Sequence, residues 1–150
     1  MGLIRKARIA DVGEVRKILR LFAAKGELLA RTMAELYSQV RDYYVYQDND
    51  QSPIIGVSAL HVCWESLGEL RSVAVLEQSQ GKGVGTRLVE TCLSEAITLG
   101  LEQVFVLTYR PDFLPVWASR WWTKISCRIL FGPTAYAAPN FLNVMKLPCS

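Results

Sequence analysis

The seven residues Gln80-Gly81-Lys82-Gly83-Val84-Gly85-Thr86 are the part of this chain whose types and spacing carry the clearest chemistry. Glycines let the backbone turn tightly and clear side chains from the approach to the main chain. The helical spacing of the apolar residues that follow predicts a helix beginning near Gly83, so N–H groups of the loop lie at the positive end of a helix dipole, where an anion binds. A pyrophosphate suits such a cradle. Two other phosphate loops are excluded by spacing. The GxxxxGK[ST] pattern is absent, and GxGxxG needs glycine where Thr86 stands.

Other reactive groups are sparse. His61 is the one histidine, and the four cysteines Cys63, Cys92, Cys127 and Cys149 show neither CxxC nor Cys/His ligand spacing, so no metal is expected and the thiols read as reduced packing groups. On an apolar strand His61 reads first as a satisfied core residue and second as a proton shuttle. Trp64, Tyr37 and Tyr43 read as core or pocket wall. The net charge of +3 is mild and its basic residues are spread along the chain, which argues against nucleic acid as a partner. No run of about eighteen apolar residues is present, and Arg5, Lys6 and Arg8 interrupt the N-terminus, so neither a membrane span nor a leader is expected and the protein is expected in the cytoplasm. A chain of 150 residues, 51% hydrophobic, fills one core, so residues 1–150 are expected to form a single domain.

The elements that must position the loop follow from periodicity. Residues 3–9 read as a strand. Asp11 with Glu14 forms a capping box ahead of a helix whose stripe is Val12, Val15, Ile18, Leu19 and Phe22, stopped at Gly26. Thr32 with Glu35 opens a shorter helix through Val40. Residues 43–47 and 54–64 are strands around a polar turn, and residues 69–76 are a third strand after a turn at Gly68. Residues 84–99 are a helix ended by Gly100, and residues 104–109 a buried strand. This order gives an α/β fold of the mixed-sheet α+β kind, in three layers with helices on both faces of the sheet.

With those elements in place, Gln80, Gly83 and Gly85 match Q/R-x-x-G-x-G/A, and the segment Leu70-Arg71-Ser72-Val73-Ala74-Val75 resembles the strand that precedes it in the GNAT family of acetyl-CoA dependent N-acetyltransferases. The stretches 22–31, 59–65 and 106–109 resemble single-domain amino-acid acetyltransferases of the N-acetylglutamate synthase type, and the resemblance covers about residues 3–113. It implies transfer of acetyl from acetyl-CoA to the α-amine of glutamate, the opening step of arginine synthesis. Another acceptor amine, or coenzyme A binding without catalysis, is the alternative, and an unrelated interaction protein is a third. It leaves a homodimer open.

The same resemblance suggests roles. Backbone N–H groups of Val73, Ala74 and Val75 would hold the pantetheine arm and polarise the thioester carbonyl, while Gln80, Gly81, Lys82, Gly83, Val84, Gly85 and Thr86 bind the pyrophosphate. Glu69 is the candidate general base, against the plainer reading of a solvated glutamate at a strand start. Arg31 and Arg71 are the candidates for an acceptor carboxylate, against surface or ion-paired arginines. The family's acid is a tyrosine in the region past Phe113, a position that holds no tyrosine here. Tyr109, nearby but earlier, takes that role by proximity.

From Leu114 the chain departs from the pattern. We read residues 114–150 as the family's tail in a frame shifted by loss of one coding base. Restoring a base forces glycine at Ala118, valine and aspartate after Trp121 and Trp122, and glutamate after Met145, because Trp and Met have single codons. With ordinary third bases the run opens Phe-Phe-Ala-Arg-Leu-Gly-Phe, in keeping with the family. A tail carrying Pro115, Pro133, Pro139 and Pro148 is expected to pack irregularly and to leave a sheet edge uncovered.

Overall fold

The computed structural model describes residues 2–108, 122–125 and 141–146. Strand β1 (Leu3–Lys6) leads through a 3-10 turn at Ile9–Asp11 into α1 (Val12–Ala24) and α2 (Met33–Ser38). Strands β2 (Tyr43–Gln47), β3 (Ile54–Trp64) and β4 (Leu67–Val75) follow as an antiparallel meander. Helix α3 (Val84–Thr98) crosses to β5 (Gln103–Thr108), which runs parallel to β4, and β6 (Trp122–Ile125) and β7 (Phe141–Lys146) complete the order β1-β2-β3-β4-β5-β7-β6.

Alternation along the strands sorts the core into two layers. Tyr44, Tyr46, Leu60 and Leu70 pack against Val84, Leu88, Val89, Cys92 and Ala96 of α3. Tyr43, Val45, Val57, Ala59 and Ala74 point the other way, onto Val12, Val15, Ile18, Leu19 and Phe22 of α1 and Leu36 of α2. Helices therefore cover both faces, as the periodicity predicts.

Two local expectations change. Asp11 does not cap α1 with its side chain. Its carboxylate takes Arg5 Nη1 at 2.7 Å and Nη2 at 3.0 Å and the Arg8 amide at 2.7 Å, and Glu14 accepts instead from the Ile54 amide. The arginine of β1 wins over a helix amide because its two N–H groups match the carboxylate's two oxygens. The Thr32–Glu35 box forms as expected. The turn before β4 is at Glu65 and Ser66, and Gly68 lies inside the strand, where a Cβ would come within 2.7 Å of Leu101 Cδ1. Glycine is required there by close packing, not by a turn.

The expected bare edge of β5 is also overturned. Strand β7 pairs with β5 from Gln103 opposite Lys146 to Thr108 opposite Phe141, and β6 pairs with β7. Strand pairing is made by backbone groups, and the runs Trp-Thr-Lys-Ile and Phe-Leu-Asn-Val-Met-Lys have strand-forming composition and contain none of the tail's prolines. An unpaired edge needs no more than that to recruit a strand. The expectation of irregular packing for the rest of residues 114–150 falls outside the described residues.

Candidate active site

Strand β4 does not stay with β5. The two pair in parallel from Leu67 opposite Gln103 to Leu70 opposite Val106, and among the described residues nothing pairs with residues 71–75 on that side. The cause lies one strand over. Between Val57 opposite Ala74 and Ala59 opposite Arg71, two residues of β4, Ser72 and Val73, face the single Ser58 of β3, a β-bulge that bends the bulged strand. Ser72 takes φ 54°, and its hydroxyl lies 3.2 Å from the Tyr43 hydroxyl in the core. That left-handed conformation costs a non-glycine residue, so the surrounding packing must hold it. Buried Ala74 and Val75 then fix the end of β4 between the two core layers while its β5-side backbone faces a wedge.

The glycine loop closes the wide end of that wedge. A 3-10 turn at Glu77–Ser79 carries the chain from β4 to Gln80, whose Nε2 donates to the Val75 carbonyl at 2.8 Å. Gly81 (φ 74°) and Gly83 (φ 79°) adopt left-handed conformations. Glycine enters that region freely. The first bond of α3 runs from the Arg87 amide to the Gly83 carbonyl, so the N–H groups of Val84, Gly85 and Thr86 precede the ladder and are available to an anion. Lys82 is exposed beside them, and Val84 is buried in the core layer that α3 forms with the sheet. The loop and β4's open end thus share one mouth.

Glu69, Arg31 and Arg71 lie together on the α2 side of β4. Arg71 places Nη1 3.5 Å from Glu69 Oε2, and its Nη2 reaches the Gln39 side-chain carbonyl and stands 3.9 Å from Asp42 Oδ2. Arg31 Nη1 lies 4.0 Å from Glu35 Oε1. The Glu35 carboxyl is held below its ordinary value chiefly by the Thr32 amide that donates to it, with Arg31 and Arg71 adding to the effect. The Nε groups of both Arg31 and Arg71 are buried and have no partner among the described residues. Two guanidinium groups with donors to spare, in one charged cluster, can take a carboxylate.

His61, directly across the β3–β4 pair from Glu69, holds Asp42 Oδ2 with Nδ1 at 2.7 Å. Its side chain is 33% exposed, so it is satisfied but not a core residue. Cys63, next on that face, has its thiol pushed up by burial, and burial pushes the core thiol of Cys92 up to about 12. Both thiols therefore stay protonated and unreactive. Tyr43 is core, but Trp64 and Tyr37 are exposed. Tyr109, Cys127 and Cys149 lie outside the described residues. Among the described residues, no group of three or more His, Cys, Asp or Glu side chains could hold a metal, and no helix is long and apolar enough to cross a membrane.

Sequence reasoning missed Gln39, Asp42 and Ser72. Gln39 and Asp42 sit in the polar run between α2 and β2, far along the chain from the strands they touch, and nothing in their spacing signals the contact. Ser72 reads as an ordinary strand residue.

Residues 15–118 match the Acetyltransferase (GNAT) family. The chain belongs to the GNAT acetyltransferase family. Over 112 residues it is 37% identical to an amino-acid acetyltransferase of Mycobacterium tuberculosis, covering 74% of this chain and 64% of that protein. It is 30% identical over 108 residues to an amino-acid acetyltransferase of Salmonella typhi, covering 71% of this chain and 24% of that one, so the chain spans only part of these relatives. A Mycobacterium tuberculosis structure solved with CoA and NLQ superposes with a TM-score of 0.83 at 28% identity, covering 97% of this chain and 99% of the other. The N-acetylglutamate synthase of Neisseria gonorrhoeae, in complex with coenzyme A and N-acetyl-glutamate, shares the fold with a TM-score of 0.86 at 23% identity, over 99% of this chain and 36% of its own.

Proposed function

We propose that this GNAT domain, spanning residues 1–150, transfers acetyl from acetyl-CoA to the α-amine of an amino acid, with glutamate as the acceptor and arginine synthesis as the setting. The observation that carries the reading is the wedge where β4 leaves β5, with the glycine loop at one side of its mouth, Glu69 and Arg71 on the strand that forms it, and Arg31 contributed by the segment before α2. A donor with a pyrophosphate and a long extended arm fits the first half. An acceptor with an amine and carboxylates fits the second. The 37% identity to a protein named amino-acid acetyltransferase supports the acceptor class.

In this mechanism the N–H groups at the start of α3 and on Gly81 to Gly83 bind the pyrophosphate, and Lys82 adds charge at the surface. The β5-side backbone of Val73, Ala74 and Val75 holds the pantetheine arm and polarises the thioester carbonyl. Arg31 and Arg71 fix the acceptor's carboxylates, and Glu69 takes a proton from its ammonium group. The neutral amine attacks the carbonyl carbon, the C–S bond breaks, and the thiolate takes a proton, with Tyr109 as the candidate donor. Positioning supplies most of the rate.

The test is thiol release from acetyl-CoA across a panel of free amino acids. Turnover strongest on glutamate is the expected result. Turnover strongest on another amine replaces the acceptor, and acetyl-CoA binding with no turnover on any amine overturns the enzymatic reading.

A further inference from the structure

Acetylation of an ammonium group yields an amide, a thiol and one proton, and that proton must leave a site whose base is sheltered. The Glu69 side chain is only 16% exposed and is covered on one oxygen by Arg71. His61 stands opposite it in the antiparallel β3–β4 pair, on the same face. Residues in that relationship have Cβ atoms about 5 Å apart, within direct or one-water reach for an imidazole and a carboxylate. The imidazole is twice as exposed as the carboxylate, at 33%.

Asp42 determines which nitrogen faces the exchange. Its Oδ2 lies 2.7 Å from Nδ1 of the ring. An ionised carboxylate only accepts, so this contact puts the ring proton on Nδ1 and leaves Nε2 with its lone pair. Asp42 is itself steadied, since Arg71 Nη2 lies 3.9 Å from the same oxygen. The charged and titratable groups around the imidazole are Asp42 from the turn before β2, Glu69 and Arg71 from β4, and Cys63 from its own strand, whose thiol donates to the His61 carbonyl at 3.7 Å. Among them only Asp42 bonds to the ring.

We propose that His61, held in the Nδ1–H tautomer by Asp42, relays the proton from Glu69 to solvent and is a positioning residue for the acetyl transfer. Glu69 receives one proton from the ammonium group, Nε2 takes it over, and the imidazolium releases it to water. The second proton lost by the nitrogen balances the one taken by the departing thiolate. This rests on the acetyltransferase reading above, and a histidine is the side chain able to both take and give a proton near neutrality.

Because His61 is the one histidine of the chain, its ring can be followed alone by 15N NMR. The relay predicts the Nδ1–H tautomer in the intact protein, its loss in Asp42→Asn, and a titration that moves when Glu69 is changed to Gln. In turnover, His61→Gln lowers kcat about tenfold or more and alters its pH profile, with unchanged affinity for CoA. His61→Ala recovers activity in added imidazole. An Nε2–H tautomer, a titration indifferent to Glu69→Gln, or a His61→Gln enzyme with wild-type kcat and pH profile overturns the relay. A wild-type protein that acetylates no amino acid overturns the functional reading instead, and the coupling of the two titrations still decides whether Glu69 and His61 share a proton.

Discussion

Gln80 donates its side-chain amide to the Val75 carbonyl at 2.8 Å, so the first residue of the glycine loop is tied to the last residue of β4. The bond ties together the loop proposed to bind the pyrophosphate and the strand proposed to hold the pantetheine arm, and it gives Gln80 a structural task at the head of the loop. Gln80→Ala is expected to weaken CoA binding about three- to tenfold, the worth of one hydrogen bond. Gly83→Val should do more. Gly83 sits at φ 79°, and a Cβ added there meets nothing within 4 Å. A β-branched residue in that conformation costs about 1–3 kcal/mol, and the loss comes from the backbone alone. Calorimetry with CoA checks both, and unchanged affinity in Gly83→Val sinks the cradle.

Arg31→Ala and Arg71→Ala separate acceptor binding from folding. Loss of a charge-assisted bond to a carboxylate should raise the glutamate KM about tenfold or more, with the acetyl-CoA KM little changed. Arg71→Ala also leaves Glu69 and Asp42 without their guanidinium, so its melting temperature is expected to fall as well. Equal effects on the two KM values would make these arginines structural.

The Arg5–Asp11 clasp sets an acid limit on stability. The hydrogen bonds from Arg5 hold the Asp11 carboxyl below its ordinary value of 3.8, with the Arg8 amide assisting against burial. A depressed carboxyl contributes stability that is present above its unfolded value and is lost as pH falls through the folded one. Asp11→Asn should therefore cost about 1 kcal/mol at neutral pH. The gap between variant and wild type should close as pH falls below 3.8. Denaturant melts at about pH 7 and about pH 3 read this directly; a gap that persists in acid assigns the loss to packing.

Strand β7 lies between β5 and β6, so a proline within it removes a ladder bond. Asn143→Pro is expected to cost about 1–3 kcal/mol and several degrees in Tm. An unchanged Tm would show that the β5–β7 seam contributes nothing to cooperative folding. A version with one coding base restored after Phe113 is expected to show higher Tm and turnover than the present chain, and equal values under identical conditions overturn the reading of residues 114–150 as a tail unsuited to this core.

Much of this architecture is legible in local patterning. The stripe from Val12 to Phe22, the Thr32–Glu35 box and the limits of β2 and β3 follow from period and capping alone, because each depends on residues a few positions apart. Asp11 misleads because the competitor for its carboxylate, Arg5, comes from another element. Gln39 and Asp42 escape notice for the same reason on a longer scale. Arg71 is reached by resemblance, but what holds it is tertiary. The tail strands are hidden because proline content speaks against helices and regular packing in general, whereas the open edge of β5 asks only for two short runs free of proline.

The wedge between β4 and β5 also bears on solubility. Unpaired strand backbone is ordinarily a template on which other chains aggregate, and outer edges such as β1 carry that hazard. Among the described residues nothing pairs with residues 71–75 on the side that β5 takes at Leu67 to Leu70, and the Ser72–Val73 bulge lies in this stretch. A strand from a second copy could pair there only by entering between β4 and β5, which are joined by full pairing up to Leu70 opposite Val106, and not by adding to an outer edge. The stretch of backbone proposed to hold the donor is thus set inside the sheet, away from the outer edge where copies of a chain ordinarily pair.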